Sequence, residues 1–301
     1  MEGAPTFARV VLDSPLPQLD RLFDYRIPES LRAIAHPGAR VIVPLRTAGR
    51  RARGYIVELA DAVDFDGPVH DLEDVVSEVP VLDAAVWRLV RRAADRAAGT
   101  ASDLLRLAVP ARMVRVEKAW LAREGAAPPL PPERGLTGYD TEQSRALLDG
   151  ASPAHSQHRV ALRARAHPVA LDDGTWVPAF AQTLAELAAA TLATGRSAIV
   201  SVPDYRDVAH VERAARAFLD EDLIARVDAG QSNPDRYRGF LRTLERRPVL
   251  VLGTRTAVTA PAHELGLIAV WDDGDPLHVE QHAPGVHTRD LALLRQEHEQ
   301  C

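Results

Sequence analysis

Three nearly uninterrupted apolar runs constrain this 301-residue chain most: SAIVSVP (197–203), PVLVLGT (248–254) and LGLIAVWDD (265–273). A strand that reads apolar at almost every position is buried on both faces, and such strands belong to parallel sheets covered by helices. Between and before these runs lie segments with helical spacing, 178–194, 204–220 and 234–246. Gly195 closes the first of them and Asp204 caps the second. A further short strand is expected at 223–228. Alternating strands and helices predict a parallel α/β sheet with crossover helices.

The first part of the chain has a different texture. TFARVVL (6–12), LFDYRIP (22–28), ARVIVPL (39–45) and GYIVELA (54–60) are short alternating segments separated by turn-forming DSPLPQLD and HPG. They predict a small β-rich unit of four strands. A helix is expected over 83–98, with Asp83 at its start and Gly99 at its end, followed by a short helix that Pro110 stops. The PPLPP run within 121–135 has the composition of an extended linker. The expected organisation is a β-rich domain at 1–120, a Pro-rich linker at 121–160 and an α/β domain at 161–301.

Composition narrows the function. A chain with 46% hydrophobic and 26% charged residues can bury an ordinary globular core. No apolar run reaches the length of a membrane span, and the N-terminus lacks the basic and apolar regions of a secretory signal, so the cytoplasm is expected. The single cysteine, Cys301, excludes an internal disulfide and a cysteine metal cluster within this chain. The net charge of −6 is uneven: residues 1–120 carry 17 basic and 17 acidic side chains, residues 161–301 carry 15 and 20. The N-terminal part is therefore the better placed to meet DNA. Lys118 is the one lysine, and no GxxxxGK[ST] occurs, so the α/β part lacks the cation of a phosphate loop.

In a parallel sheet, ligands bind beyond the carboxyl ends of the strands. Here those loops are VPDYRD, GTRTAV and WDDGD. Asp272, Asp273, Asp275, His278, His282 and His287 are metal-ligating residue types, although the same residues read equally as a solvated acidic loop. Thr254 and Arg255 suit either a phosphate contact or an exposed turn. Arg46, Arg50, Arg51 and Arg53 crowd one inter-strand loop, and guanidinium forks match phosphates. Phe23–Asp24–Tyr25 places a carboxylate between two aromatics. A base can stack on such a ring while the carboxylate accepts from its amino edge or from a sugar hydroxyl. Strand alternation offers the other reading, with both rings inward and Asp24 at the surface.

The order of several segments resembles one family. RVVLDSPLPQLDRLFDYRIPESL, PGARVIVPL, RARGYIVEL and VWRLVRRAADRAAGTASDLLRLAVP are similar to the N-terminal domain of the bacterial primosomal replication-restart helicases, the PriA family. VLGTRTAVTAPAHELGLIAVWDDGD and APGVHTRDLALLR resemble its first helicase lobe. The resemblance implies a β-rich domain that binds the 3′ end of a leading strand at a stalled fork, followed by a RecA-like lobe. Carried onto this sequence, the 3′-end pocket falls on Phe23, Asp24, Tyr25 and Gly38, with Asp24 recognising the terminal nucleotide. Glu73 stands where the family places a basic residue, and Arg51 or Arg53 is expected to substitute.

The departures lie in the ATP site. GTWVPAFA (174–181) stands where the family has GVTGSGKT. Gly174 is kept, Phe180 replaces the phosphate-binding lysine, and Ala181 replaces the magnesium-ligating threonine. In the family's DEEH box, Trp271 replaces the metal-coordinating aspartate, followed by Asp272. This is similar to an actinobacterial branch that lacks recognisable helicase motifs. The resemblance implies forked DNA and primosome proteins as partners, a nucleoid location, and no catalytic residue, metal or cofactor in this chain. The family's zinc belongs to a later part of its architecture, so the chain is expected to be a piece of a longer protein. Two alternatives stay open: a divergent ATP-dependent 3′–5′ helicase that binds nucleotide through other residues, and an interaction module whose pocket is inactive.

Overall fold

The computed structural model describes residues 6–45, 50–63, 67–124, 128–149 and 159–301. Contacts divide the chain between Val109 and Pro110 into two compact units.

The first unit is built on five antiparallel strands: β1 (Phe7–Leu12), β2 (Leu22–Arg26), β3 (Arg40–Pro44), β4 (Arg51–Ala60) and β5 (Asp74–Ser77). Their spatial order is β2-β1-β4-β3-β5. Alternation sends Ala8, Val10 and Leu12 of β1, Val41 and Val43 of β3, and Ile56 of β4 to one buried core. β5 adds a fifth strand to the expected four, and its four residues are too few for a pattern to show. It matters because it lets the sheet close. The Arg26 N–H donates to the His70 carbonyl (2.9 Å), the Leu72 N–H to Arg26 (2.9 Å) and the Glu73 N–H to Ile42 (3.0 Å). Segment 70–77 thus joins the end of β2 to β3, and the sheet becomes a small barrel with few free edges.

Two helices complete this unit, α1 (Ala84–Arg96) and α2 (Ala101–Ala108). Asp83 caps α1 by accepting from the Ala85 and Val86 N–H groups, and Thr100 forms a capping box with Asp103 on α2. Val86, Leu89, Val90, Ala93 and Ala94 give α1 a buried stripe at helical spacing. Two carboxylates of the β1–β2 connection fasten the helices. Asp20 accepts from the Ala101 N–H (2.9 Å) and from Arg91 (2.8 Å), and Asp13 accepts from Ser102 (3.2 Å) and Arg106 (3.3 Å).

The second unit begins earlier than the expected boundary at 120. Helix α3 (Val114–Leu121) belongs to it because the side chain of Glu117, 1% exposed as a residue, is tied to this unit. Arg112 donates twice to one Glu117 oxygen (2.8 and 2.6 Å), and the Tyr237 hydroxyl donates to the other (2.5 Å). The expected linker at 121–160 is also partly docked. Leu136 is buried, and the N–H and hydroxyl of Thr137 donate to the Glu186 carboxylate (2.8 and 2.6 Å). Residues 141–149 form helix α4 (Thr141–Asp149). A buried carboxylate needs donors, and the linker backbone supplies one.

A two-stranded hairpin, β6 (Pro168–Ala170) and β7 (Trp176–Pro178), leads directly into α5 (Ala179–Ala193). The parallel sheet follows: β8 (Ser197–Ser201), β9 (Ile224–Arg226), β10 (Leu250–Gly253) and β11 (Leu265–Val270), in the order β11-β8-β10-β9. Helices α6 (Tyr205–Ala215), α7 (Asn233–Thr243) and α8 (Thr288–Glu299) complete it. β8 lies between β11 and β10 and is buried at every residue, as its apolar run requires. Asp204 caps α6 by accepting from the N–H groups of Arg206 and Asp207. Among the described residues, no helix is long and apolar enough to cross a membrane.

Candidate functional site

β2 carries the first candidate site, and its two faces divide the residues expected to form a pocket. Phe23 and Tyr25 face the barrel core, as alternation requires. Tyr25 is 5% exposed, and its hydroxyl donates to the Pro44 carbonyl (3.2 Å), from one strand to another that it does not pair with. Phe23 is half-buried at the rim. The Arg21 guanidinium lies 4.7 Å above its ring centroid. Asp24 faces the other way. It stands opposite Arg9, which stands opposite Glu58, so the three form a row across β2, β1 and β4. Arg9 lies 3.5 Å from Asp24 and 2.6 Å from Glu58.

The outer edge of β2 is open over its first half. The main-chain groups of Arg26 bond away from β1, to residues 70 and 72. Alternation directs those of Asp24 to the same side, and no hydrogen-bonding partner meets them among the described residues. A half-buried carboxylate, an N–H and a carbonyl therefore come together at one open strand edge. Such a set can bind both donors and acceptors of a nucleotide.

Gly38 lies in the turn before β3, with φ +87°, and it is buried. A Cβ there would approach the Leu82 carbonyl oxygen to 2.8 Å, so the fold itself demands glycine. The Gly38 N–H donates to Ile56 (2.7 Å), and Ile56 stands opposite Val10, which stands opposite Phe23. Arg51 and Arg53 emerge together from β4. Arg51 is paired with Glu73 (2.5 Å), whereas Arg53 has no carboxylate partner among the described residues. Arg46 lies outside the described residues. Sequence alone does not single out Arg21, although its two-residue spacing from Phe23 is the signal for a shared face.

The second candidate site is the segment expected to stand at the position of a phosphate loop. Such a loop is an open turn between a sheet strand and a helix N-terminus. Here Gly174 sits in the turn of the β6–β7 hairpin, with φ +79°, and β7 runs straight into α5 with Pro178 as the N-cap. Phe180 stacks flat on Trp271, with centroids 4.0 Å apart and planes 4° from parallel. Ala181 is fully buried, and Asp272 is exposed with φ +48°. The two residues expected at the positions of a phosphate-binding lysine and a metal-binding aspartate thus pack face to face.

The remaining loops are engaged internally. Arg255 donates to Glu280 (2.7 Å), and His282 pairs with the other Glu280 oxygen (3.0 Å). Burial pushes the Glu280 carboxyl up, but hydrogen bonds from Arg255 and His282 outweigh it and hold the group at about 2. His278 is buried, with its Nε2 2.8 Å from the Trp271 carbonyl oxygen. Among the described residues, no three of these acidic and histidine side chains converge as a metal ligand set. Asp207, on α6, is raised by burial and by the neighbouring charges of Asp204, Asp272 and Asp275.

Comparison with known proteins gives this geometry a family. Residues 9–110 match the family described as "3'DNA-binding domain (3'BD)" of PriA. Most of the chain aligns with "Probable replication restart protein PriA" of Mycobacterium tuberculosis, at 39% identity over 95% of this chain and 42% of the relative. This chain belongs to the PriA family. The protein of the same name from Mycobacterium leprae is 37% identical over 95% of this chain, which places the chain with the actinobacterial type. "Replication restart protein PriA" of Bacillus subtilis is 30% identical over half of this chain. The chain spans 42% of the length of the mycobacterial relatives. Its barrel with α1 and α2 is a PriA 3′ DNA-binding domain, and an α/β unit with a parallel sheet follows it.

Proposed function

We propose that this chain is the DNA-docking part of a replication-restart factor. It holds the 3′-terminal nucleotide of a leading strand at a fork against Asp24 and the open edge of β2. The family match to a 3′ DNA-binding domain supports the ligand, and the open polar edge supports the place. Phe23 offers a ring at the rim, and Arg53 offers an uncommitted cation. Tyr25 and Gly38 shape the barrel behind the edge.

The second unit is a helicase-like lobe without an ATP engine. It serves as a scaffold for primosome proteins or for DNA. The observation that carries this reading is the Phe180–Trp271 stack. A triphosphate needs main-chain N–H donors and a cation. This position offers two aromatic rings and the ring nitrogen of Pro178, which has no hydrogen to donate.

Two measurements test the reading. Calorimetric titration with ATP and magnesium is expected to give no heat of binding, and micromolar affinity would replace the scaffold with a divergent helicase. Fork DNA ending in a 3′-hydroxyl is expected to bind more tightly than the same fork ending in a 3′-phosphate. Equal affinity would leave only a general interaction module.

A further inference from the structure

We propose that Arg21 is a phosphate-contacting cation of the 3′-end site, and that Arg51 is not. This assignment rests on the docking reading above. It starts from how the barrel's arginines are paired. Arg9 faces Asp24 and Glu58, Arg26 lies 3.5 Å from Asp71, and Arg51 lies 2.5 Å from Glu73. A guanidinium already held by a carboxylate must give up that pair to meet a phosphate, so little is gained. Arg21 is exposed and has no carboxylate partner among the described residues. Its charge rests on the face of Phe23, which orients a guanidinium without neutralising it.

The backbone beneath Arg21 is fixed on both sides. The residue before it, Asp20, is clamped to the Ala101 N–H and to Arg91. The residue after it, Leu22, pairs with Val11. The Arg21 N–H itself donates to the Leu19 carbonyl (2.9 Å). Arg21 therefore leaves a rigid corner at the start of the open edge. Asp24 lies three residues further along the same edge, about 10 Å away at the rise of an extended strand. The two side chains flank that edge from opposite faces. A terminal nucleotide at Asp24 places the phosphate on its 5′ side toward Arg21, and a guanidinium fork matches its oxygens. Glu73 holds the nearby Arg51 in an ion pair, which takes that guanidinium away from DNA.

The test uses the full chain and a labelled fork with a free 3′-hydroxyl, followed by fluorescence anisotropy over a salt series. Arg21→Gln is expected to weaken binding about tenfold and to flatten the log–log salt slope by about 0.7–0.9, the signature of one lost phosphate contact. Arg21→Lys keeps the charge and the slope. Arg51→Gln leaves both affinity and slope at wild-type values. An unchanged slope for Arg21→Gln overturns the assignment, as does a flattened slope for Arg21→Lys or for Arg51→Gln. Failure of the docking reading shows separately, as a wild-type chain indifferent to the group at the 3′ end.

Discussion

The rings of Phe180 and Trp271 lie face to face, 4.0 Å between centroids and 4° from parallel, at the N-terminus of α5 and the carboxyl end of β11. On the reading proposed above, each stands where an ATP site needs a charged side chain, and the two rings stabilise one another by stacking. Partly buried rings of this size contribute through apolar area and through stacking.

Phe180→Ala and Trp271→Ala are each expected to destabilise the second unit by about 2–3 kcal/mol, below the full cost of deleting a wholly buried ring. The double variant is expected to lose about 1 kcal/mol less than the sum, because the stack is counted in both single variants. Urea unfolding of the four proteins measures the coupling, and strict additivity would contradict a stabilising stack.

Asp24→Ala is expected to weaken binding to a 3′-hydroxyl fork about tenfold, the scale of one hydrogen bond to a charged group. It also removes the discrimination against a 3′-phosphate. Stability changes little, because the Arg9 pair it loses is partly exposed and 3.5 Å long. Anisotropy titrations with the two forks, beside a thermal melt, separate binding from folding.

Gly38→Ala is expected to act oppositely, on folding more than on the ligand. The added methyl meets the Leu82 carbonyl and the Pro80 ring at a positive φ. A loss of about 2 kcal/mol in chemical denaturation is expected. A variant of wild-type stability that no longer binds DNA would assign Gly38 to the ligand instead.

Asp20→Ala is expected to destabilise the first unit by about 2–3 kcal/mol. It removes the acceptor for the Ala101 N–H and leaves Arg91 with Asp95 alone. Asp13→Ala costs less, since its side chain is more exposed. Equal effects in urea melts would mean that burial does not set the strength of these anchors.

Glu280 gives the second unit a pH dependence. Its folded-state value of about 2 lies below the ordinary 4.5, so the unfolded chain takes up the proton first as pH falls. The stabilisation is complete above about 4.5 and disappears as pH drops towards 2, with a ceiling of about 3 kcal/mol. Glu280→Gln is expected to lower stability at pH 7 and to lose its effect near pH 2. Melts of both proteins across this range check the sign.

Much of the local structure was legible in the sequence because it depends on neighbours a few residues apart. The period-two patterns placed β1 to β4, and the helical spacing over 83–98 placed α1, which the structure holds at Ala84–Arg96 with Asp83 as its cap. The hairpin of β6 and β7 was not legible. Its strands are three residues each and contain two prolines, so no period can show. The candidate site was legible in residue types and not in directions. Phe23–Asp24–Tyr25 reads as one cluster on paper, but a pleated strand sends its members to two faces. Arg51 reads as a free cation until Glu73 is found beside it.

By itself, the sequence determined the element types, the buried parallel strands and the absence of any lysine but Lys118, because composition and short-range period fix these. The tertiary structure alone decided that the barrel closes through segment 70–77, that α3 joins the second unit through Glu117, and that Phe180 meets Trp271. Each of these contacts joins residues far apart in the chain. Burial, hydrogen-bond satisfaction and close packing select such partners, and no local pattern encodes them.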